Sequence, residues 1–133
     1  MYVPQVGRGT ARVVLGALRL GVGIQGLLAP RLAAKTFGVP AEPSSFWVTR
    51  LFASRELLLA YYLLTAPPDQ VRHAAMLGVV VDGIDVASSA LELRADRIST
   101  YTFVSGGLGA ALFCALGVLA QAEAPSDPSD ARA

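Results

Sequence analysis

Four apolar stretches, about Ala11 to Ala29, Phe46 to Thr65, Val71 to Leu91 and Thr100 to Ala120, take up most of this chain of 133 residues. Each is about 19 to 21 residues long, which at a helical rise of about 1.5 Å per residue matches a hydrocarbon core of about 30 Å. Segments of such even length point to an all-α protein that crosses a bilayer four times. Composition agrees, with 53% of residues hydrophobic and 16% charged. The mean hydropathy of +0.51 lies at the apolar edge of soluble domains.

The separators carry helix-stop chemistry: Ala29 and Pro30, GVPAEP from Gly38 to Pro43, APPD from Ala66 to Asp69, and the charged ELRADR from Glu92 to Arg97. Read as loops between antiparallel helices, they predict a four-transmembrane-helix antiparallel bundle over residues 1–120 with short loops. The tail QAEAPSDPSDARA, residues 121–133, is too rich in Pro, Ser, Ala and acid to bury a core and is expected to be disordered. The longer first separator, PRLAAKTFGVP, reads either as a plain loop or as an interfacial amphipathic turn. In the second case Arg31 and Lys35 point outward and Leu32 and Phe37 inward. Phe46, Trp47, Tyr61, Tyr62, Tyr101 and Phe103 sit near segment ends, where an interfacial aromatic belt belongs.

Arg8 and Arg12 ahead of an apolar run give the N-terminus the look of a signal peptide, but the reading adopted is a retained first span. The protein is then a multi-pass component of the cytoplasmic (inner) membrane. Arg8, Arg12, Arg72 and Arg132 fall on one side and Arg31, Lys35, Arg94 and Arg97 on the other, so the positive-inside rule nearly ties. Both termini are placed in the cytoplasm, as in most four-span proteins without a cleaved signal.

Charges stand inside these spans: Arg19 in the first, Arg50, Arg55 and Glu56 in the second, Asp82 and Asp85 in the third. A charge near the bilayer centre costs about 2.5 to 3.5 kcal/mol on insertion scales and usually faces a partner or an aqueous cavity. Asp82 and Asp85, three residues apart, share a helix face that Ser89 extends. Arg12, Gly16, Arg19, Gly23 and Gly26 fall along one stripe of the first helix, where the glycines let a neighbouring backbone approach. The spacing therefore predicts a buried network of Arg19, Arg55, Glu56, Asp82 and Asp85, with the two arginines meeting the two aspartates. Arg50 either joins it or snorkels toward the interface near Trp47. Three uses stay open: a structural staple, a proton or ion relay through Glu56, Asp82 and Asp85, or a pocket for a polar ligand or lipid headgroup.

The fourth segment has no charge. Gly106, Ala110 and Cys114 make one row of small residues, and Gly107, Ala111 and Ala115 another, suited to close packing against a helix of this chain or of a partner.

Several functions are disfavoured. A net charge of +1 without a basic run interleaved with aromatics leaves nucleic acid no electrostatic footprint. A single histidine, His73, and a single cysteine, Cys114, do not make a bis-histidine haem site, a zinc site or an intrachain disulfide. GVGIQG does not follow a predicted strand, and no serine, histidine and acid set has support. No metal, no cofactor and no enzymatic activity are expected.

Three stretches, RLGVGIQGLLAPRLAAKTFGVP, RLFASRELLLAYYLL and VVVDGIDVASSALE, resemble a family of small four-span bacterial membrane proteins of unknown function, common in actinobacteria. The residues that carry the resemblance are Ala29, Pro30, Arg31, Phe37, Gly38, Arg55, Glu56, Asp82 and Asp85. It implies the four-span fold and the polar core rather than a reaction. The expected role is an accessory subunit beside other integral membrane subunits, first the permease of an Mce-type lipid importer and second a respiratory supercomplex core. The alternative is a small oligomeric transporter or channel that uses the intramembrane acids.

Overall fold

The computed structural model describes residues 9–124, and all regular structure among them is helical. Five helices follow one another: α1 Thr10–Leu28, α2 Pro30–Phe37, α3 Pro43–Thr65, α4 Val71–Arg94 and α5 Thr100–Glu123. Of these, α1, α4 and α5 are long and apolar enough to cross a membrane. At 23 residues α3 is long enough, but it carries Arg50, Arg55 and Glu56 within its length. The described helices thus number five rather than four. Two further expectations change: the helices run past the apolar limits read from sequence, to Pro43, Arg94 and Glu123, and the separator after α1 is itself a helix. Backbone hydrogen bonding continues into polar residues that hydropathy alone assigns to loops.

Proline and glycine punctuate α2. Pro30 and Pro43 open α2 and α3 at positions where the missing N–H has no helical acceptor to lose. Gly38 closes α2 in the left-handed region with φ 67°, where a side chain is strained. The last carbonyls of α2 then find hydroxyls at the start of α5. Tyr101 donates to Thr36 at 2.9 Å, Thr102 to Gly38 at 3.0 Å and Ser105 to Phe37 at 3.4 Å. A Cβ on Gly38 would stand 2.5 Å from the Tyr101 ring, so glycine also permits this docking.

Within α5, Phe103–Gly107 winds as a π-helical turn. A π-turn holds more residues per turn than an α-helix and so rotates the face that follows.

Small residues set the closest helix contacts. Gly16 lies against Leu64, Gly23 against Leu57 and Ala53, and Gly26 against Ala53 and Thr49, so numbers fall along α3 as they rise along α1. On the other pair, Gly107 meets Ser89, and Gly117 meets Val79 and Ala75. Leu15, Leu63, Val71, Ala75 and Ala120 close the core near the ends of the described chain. The outer surface is apolar: Val13, Leu58, Ile84, Leu112 and Val118 are all exposed.

Charged side chains tie the helix ends. Arg12 donates to the carbonyls of Leu63, Leu64 and Ala66 at the close of α3, at 2.8, 2.9 and 3.2 Å. Arg50 does the same, at 3.3 Å, for Leu27 in the last turn of α1. Both cations sit at the negative end of a helix dipole. Glu123 accepts from the N–H groups of Gly9 and Ala11 at 3.2 and 3.1 Å, which puts a carboxylate at the positive end of α1. Glu123 and the preceding Gln121 belong to α5, so the expected disordered tail does not begin at 121; residues 125–133 lie outside the described residues, as do Arg8 and Arg132.

Losing a carboxylate that caps a helix N-terminus costs about 0.5 to 2 kcal/mol. Glu123→Ala is therefore expected to lower the thermal midpoint of the detergent-solubilised protein, and Glu123→Gln, which keeps an acceptor, to lower it less. Equal midpoints for Glu123→Ala and the parent would show that the start of α1 needs no such cap.

Candidate functional site

Midway along α1, Arg19 points into the bundle and is about 1% exposed, as are Glu56 of α3 and Asp82 of α4. Its Nη1 donates to Glu56 Oε2 at 2.7 Å and to Asp82 Oδ1 at 3.1 Å, and its Nη2 to Asp82 Oδ2 at 2.5 Å. The two bonds to Asp82 form the planar fork that guanidinium makes with carboxylate. The Phe113 ring of α5 lies 5.0 Å from the guanidinium carbon and covers its face. One turn before Asp82, a Cβ on Gly78 would stand 2.8 Å from Arg19 Nη2, so this glycine leaves the guanidinium its space.

A second fork lies beside the first. Arg55 donates from Nη1 to Asp85 Oδ1 at 3.2 Å and from Nη2 to Asp85 Oδ2 at 2.6 Å. Its Nη2 also reaches Glu56 Oε1 at 3.5 Å, which joins the two forks through Glu56. Arg55 Nε is buried with no acceptor among the described residues, and the Phe52 ring lies 4.8 Å from the guanidinium carbon. The structure thus brings together all five residues of the expected network.

Three carboxylates against two guanidinium groups leave the network with one excess acid. Oxygens of Glu56, Asp82 and Asp85 lie within 4.8 Å of one another, a spacing that a cation could bridge. Arg19 and Arg55 already donate to all three acids, so a metal ion would have to compete with two fixed positive charges. What the arrangement does chemically is hold α1, α3 and α4 together through charge-assisted hydrogen bonds.

The other expected residues divide. Gly16, Gly23 and Gly26 face α3. On α5, Gly107 and Ala110 are buried, and Cys114 Sγ lies 3.9 Å from the Val79 carbonyl of α4. Gly106 does not belong to this face: a Cβ there would meet nothing within 4 Å. The close-packed row starts instead at Gly107, from which Ala110, Cys114 and Gly117 follow at the helical spacings of three and four. Arg50 stays exposed and outside the network. His73 stacks edge-on with Tyr62, ring centroids 6.3 Å apart.

Sequence reasoning missed Gly78 and Phe113. Gly78 carried a signal, since it stands four residues before Asp82 on the same helical face. The chain matches no family model, no curated protein and no solved structure, so the use of this network has to be argued from its own residues.

Proposed function

We propose that the protein is a four-span component of the cytoplasmic membrane, with α1, α3, α4 and α5 as an antiparallel bundle and α2 at the interface. In this reading it is a non-catalytic accessory subunit that stabilises a larger assembly through lateral helix contacts. The carrying observation is that the bundle's intramembrane charges are engaged internally: Arg19 and Arg55 hold Glu56, Asp82 and Asp85, while Arg50 caps a helix end. An ion-paired core beneath an outer face of Val13, Leu58, Ile84 and Leu112 suits a packing partner better than a reaction centre. Placing α3 in the membrane is supported by its length and by the pairing of its charges, which relieves their insertion cost.

The larger assembly is proposed to be an Mce-type lipid importer, through its permease, with a respiratory supercomplex second; this order is an expectation about small four-span proteins of this kind, and the residues themselves do not choose between the two.

Tagged protein drawn from its native membrane in mild detergent is expected to bring down other integral membrane subunits in stoichiometric amount. Recovery of a monodisperse protein by itself would overturn the accessory reading. It would favour a second one, a small transporter or channel with Glu56, Asp82 and Asp85 as its polar path. One observation already leans that way: the Asp85 side chain keeps 27% of its exposure although it stands near mid-helix.

A further inference from the structure

The bundle is packed unequally on the two sides of the charge network. Toward the ends of the described chain, Leu15, Leu63, Val71, Ala75 and Ala120 are buried almost completely and form an apolar plug. Toward α2 the α1–α3 contact stays close at Gly26 and Ala53, and Ala33 and Ala34 are buried, but the side built by α4 is looser: Phe52, Val86, Ser89, Glu92 and Phe103 are only half-buried, and Ser88 is exposed.

The seam between α3 and α4 follows this asymmetry. The helices leave the turn at 66–70 close together, with Tyr62 stacked on His73, and are joined again at the network by Arg55 and Asp85. The Arg55 side chain keeps 36% of its exposure there, while Arg19 and Glu56 behind it keep 1% each. A mid-span ion pair left open to lipid tails is costly, whereas one open to water is not.

Beyond the pair, one face of α4 stays polar into its last turn. Asp85, Ser88, Ser89 and Glu92 follow at i, i+3, i+4 and i+7 along one face, and Arg97 holds Glu92 at 2.7 Å just past the helix. Ser89 leans toward α5 at Gly107 and Ser88 outward, so the polar row borders the seam on both sides. Hydroxyls and a carboxylate in a row from mid-helix to one end are costly against hydrocarbon and suited to a wetted wall.

We infer that the α3–α4 seam, from Arg55 and Asp85 to the α2 end, is a water-filled cleft open to one face of the membrane only. It admits water, hydronium and small hydrophilic solutes to Asp85, while Arg19, Glu56 and Asp82 stay dry behind the ion pair. The apolar plug closes the path to the opposite face. The inference rests on the membrane-spanning reading proposed above and is independent of whether partner subunits exist.

Single cysteines placed in a Cys114→Ser background, in sealed vesicles of each orientation, test it with a charged, membrane-impermeant thiol reagent. Ser88→Cys and Ser89→Cys are isosteric changes and are expected to label fully from one side and not from the other. Ala75→Cys in the plug and Ile84→Cys on the outer face are expected to stay unlabelled from both sides. Absence of label at both serine positions, or label from both sides, overturns the cleft. Label at Ile84→Cys overturns the membrane-spanning reading itself, which separates the two failures.

Discussion

Arg19→Met is expected to destabilise the protein by about 3 to 5 kcal/mol, the usual cost of removing one partner from a buried ion pair. Much of that loss comes from what remains. Glu56 and Asp82, each about 1% exposed, would face one another with only Arg55 nearby to balance them and Asp85. With Arg19 present the five groups carry two positive and three negative charges, a net of −1; without it the net becomes −2. Adding Asp82→Asn returns the net to −1 and removes the carboxylate that Arg19 holds most closely. The double variant is therefore expected to recover most of the lost stability. Thermal unfolding in detergent, followed by the fluorescence of Trp47, measures both. As a contrast, Arg97→Met breaks the exposed pair with Glu92 and is expected to leave the midpoint unchanged, because surface pairs contribute little. A double variant no more stable than Arg19→Met would show that the defect is lost packing around Phe113 and Gly78 rather than unbalanced charge.

The network was legible in the sequence because its members are costly in lipid and the costs cancel only in pairs. Asp82 and Asp85 at a spacing of three announced a shared face, yet they serve different partners. A step of three residues turns the helix about 60° short of a full turn, enough to aim Asp82 inward at α1 and Asp85 sideways at α3. Which arginine each aspartate meets depends on the order of helices around the bundle, and no spacing along one helix contains that.

Other features were hidden for different reasons. Arg12 read as one member of the glycine stripe on the first helix and Glu123 as a tail charge, since their task is to cap ends of other helices that only folding brings near. The π-turn at Phe103–Gly107 left no apolar signature, and the row of small residues that packs starts at Gly107 rather than Gly106. The expected spans stopped short of Pro43, Arg94 and Glu123, while the first ran one residue past the end of α1 at Leu28. Hydropathy measures the length of chain that tolerates hydrocarbon, whereas a helix ends where its backbone loses hydrogen-bond partners.

Gly26→Ala is expected to be costly although it adds one methyl group, and Gly21→Ala, on the same helix, is expected to be harmless. A Cβ at position 26 would stand 2.9 Å from the Ala53 Cβ and 3.5 Å from the Thr49 carbonyl oxygen. Both atoms are fixed to the α3 backbone and no rotamer change relieves them, so α1 and α3 must separate. Overpacking of this kind costs about 1 to 3 kcal/mol. At Gly21 a Cβ meets nothing within 4 Å, and a glycine replaced in an open helical position gains up to about 1 kcal/mol. Ala53→Gly removes the opposing methyl group and is expected to rescue Gly26→Ala beyond the sum of the two single effects. Thermal midpoints of the four variants decide the matter: equal losses at positions 21 and 26, or no rescue by Ala53→Gly, would refute direct backbone contact as the cause. The effect also reaches the charged site. Arg19 lies seven residues before Gly26, about two turns away on the same helix, and its 2.7 Å bond to Glu56 crosses the same α1–α3 interface. Separating the helices stretches that bond, so Gly26→Ala combined with Glu56→Gln is expected to cost less than the two changes added together.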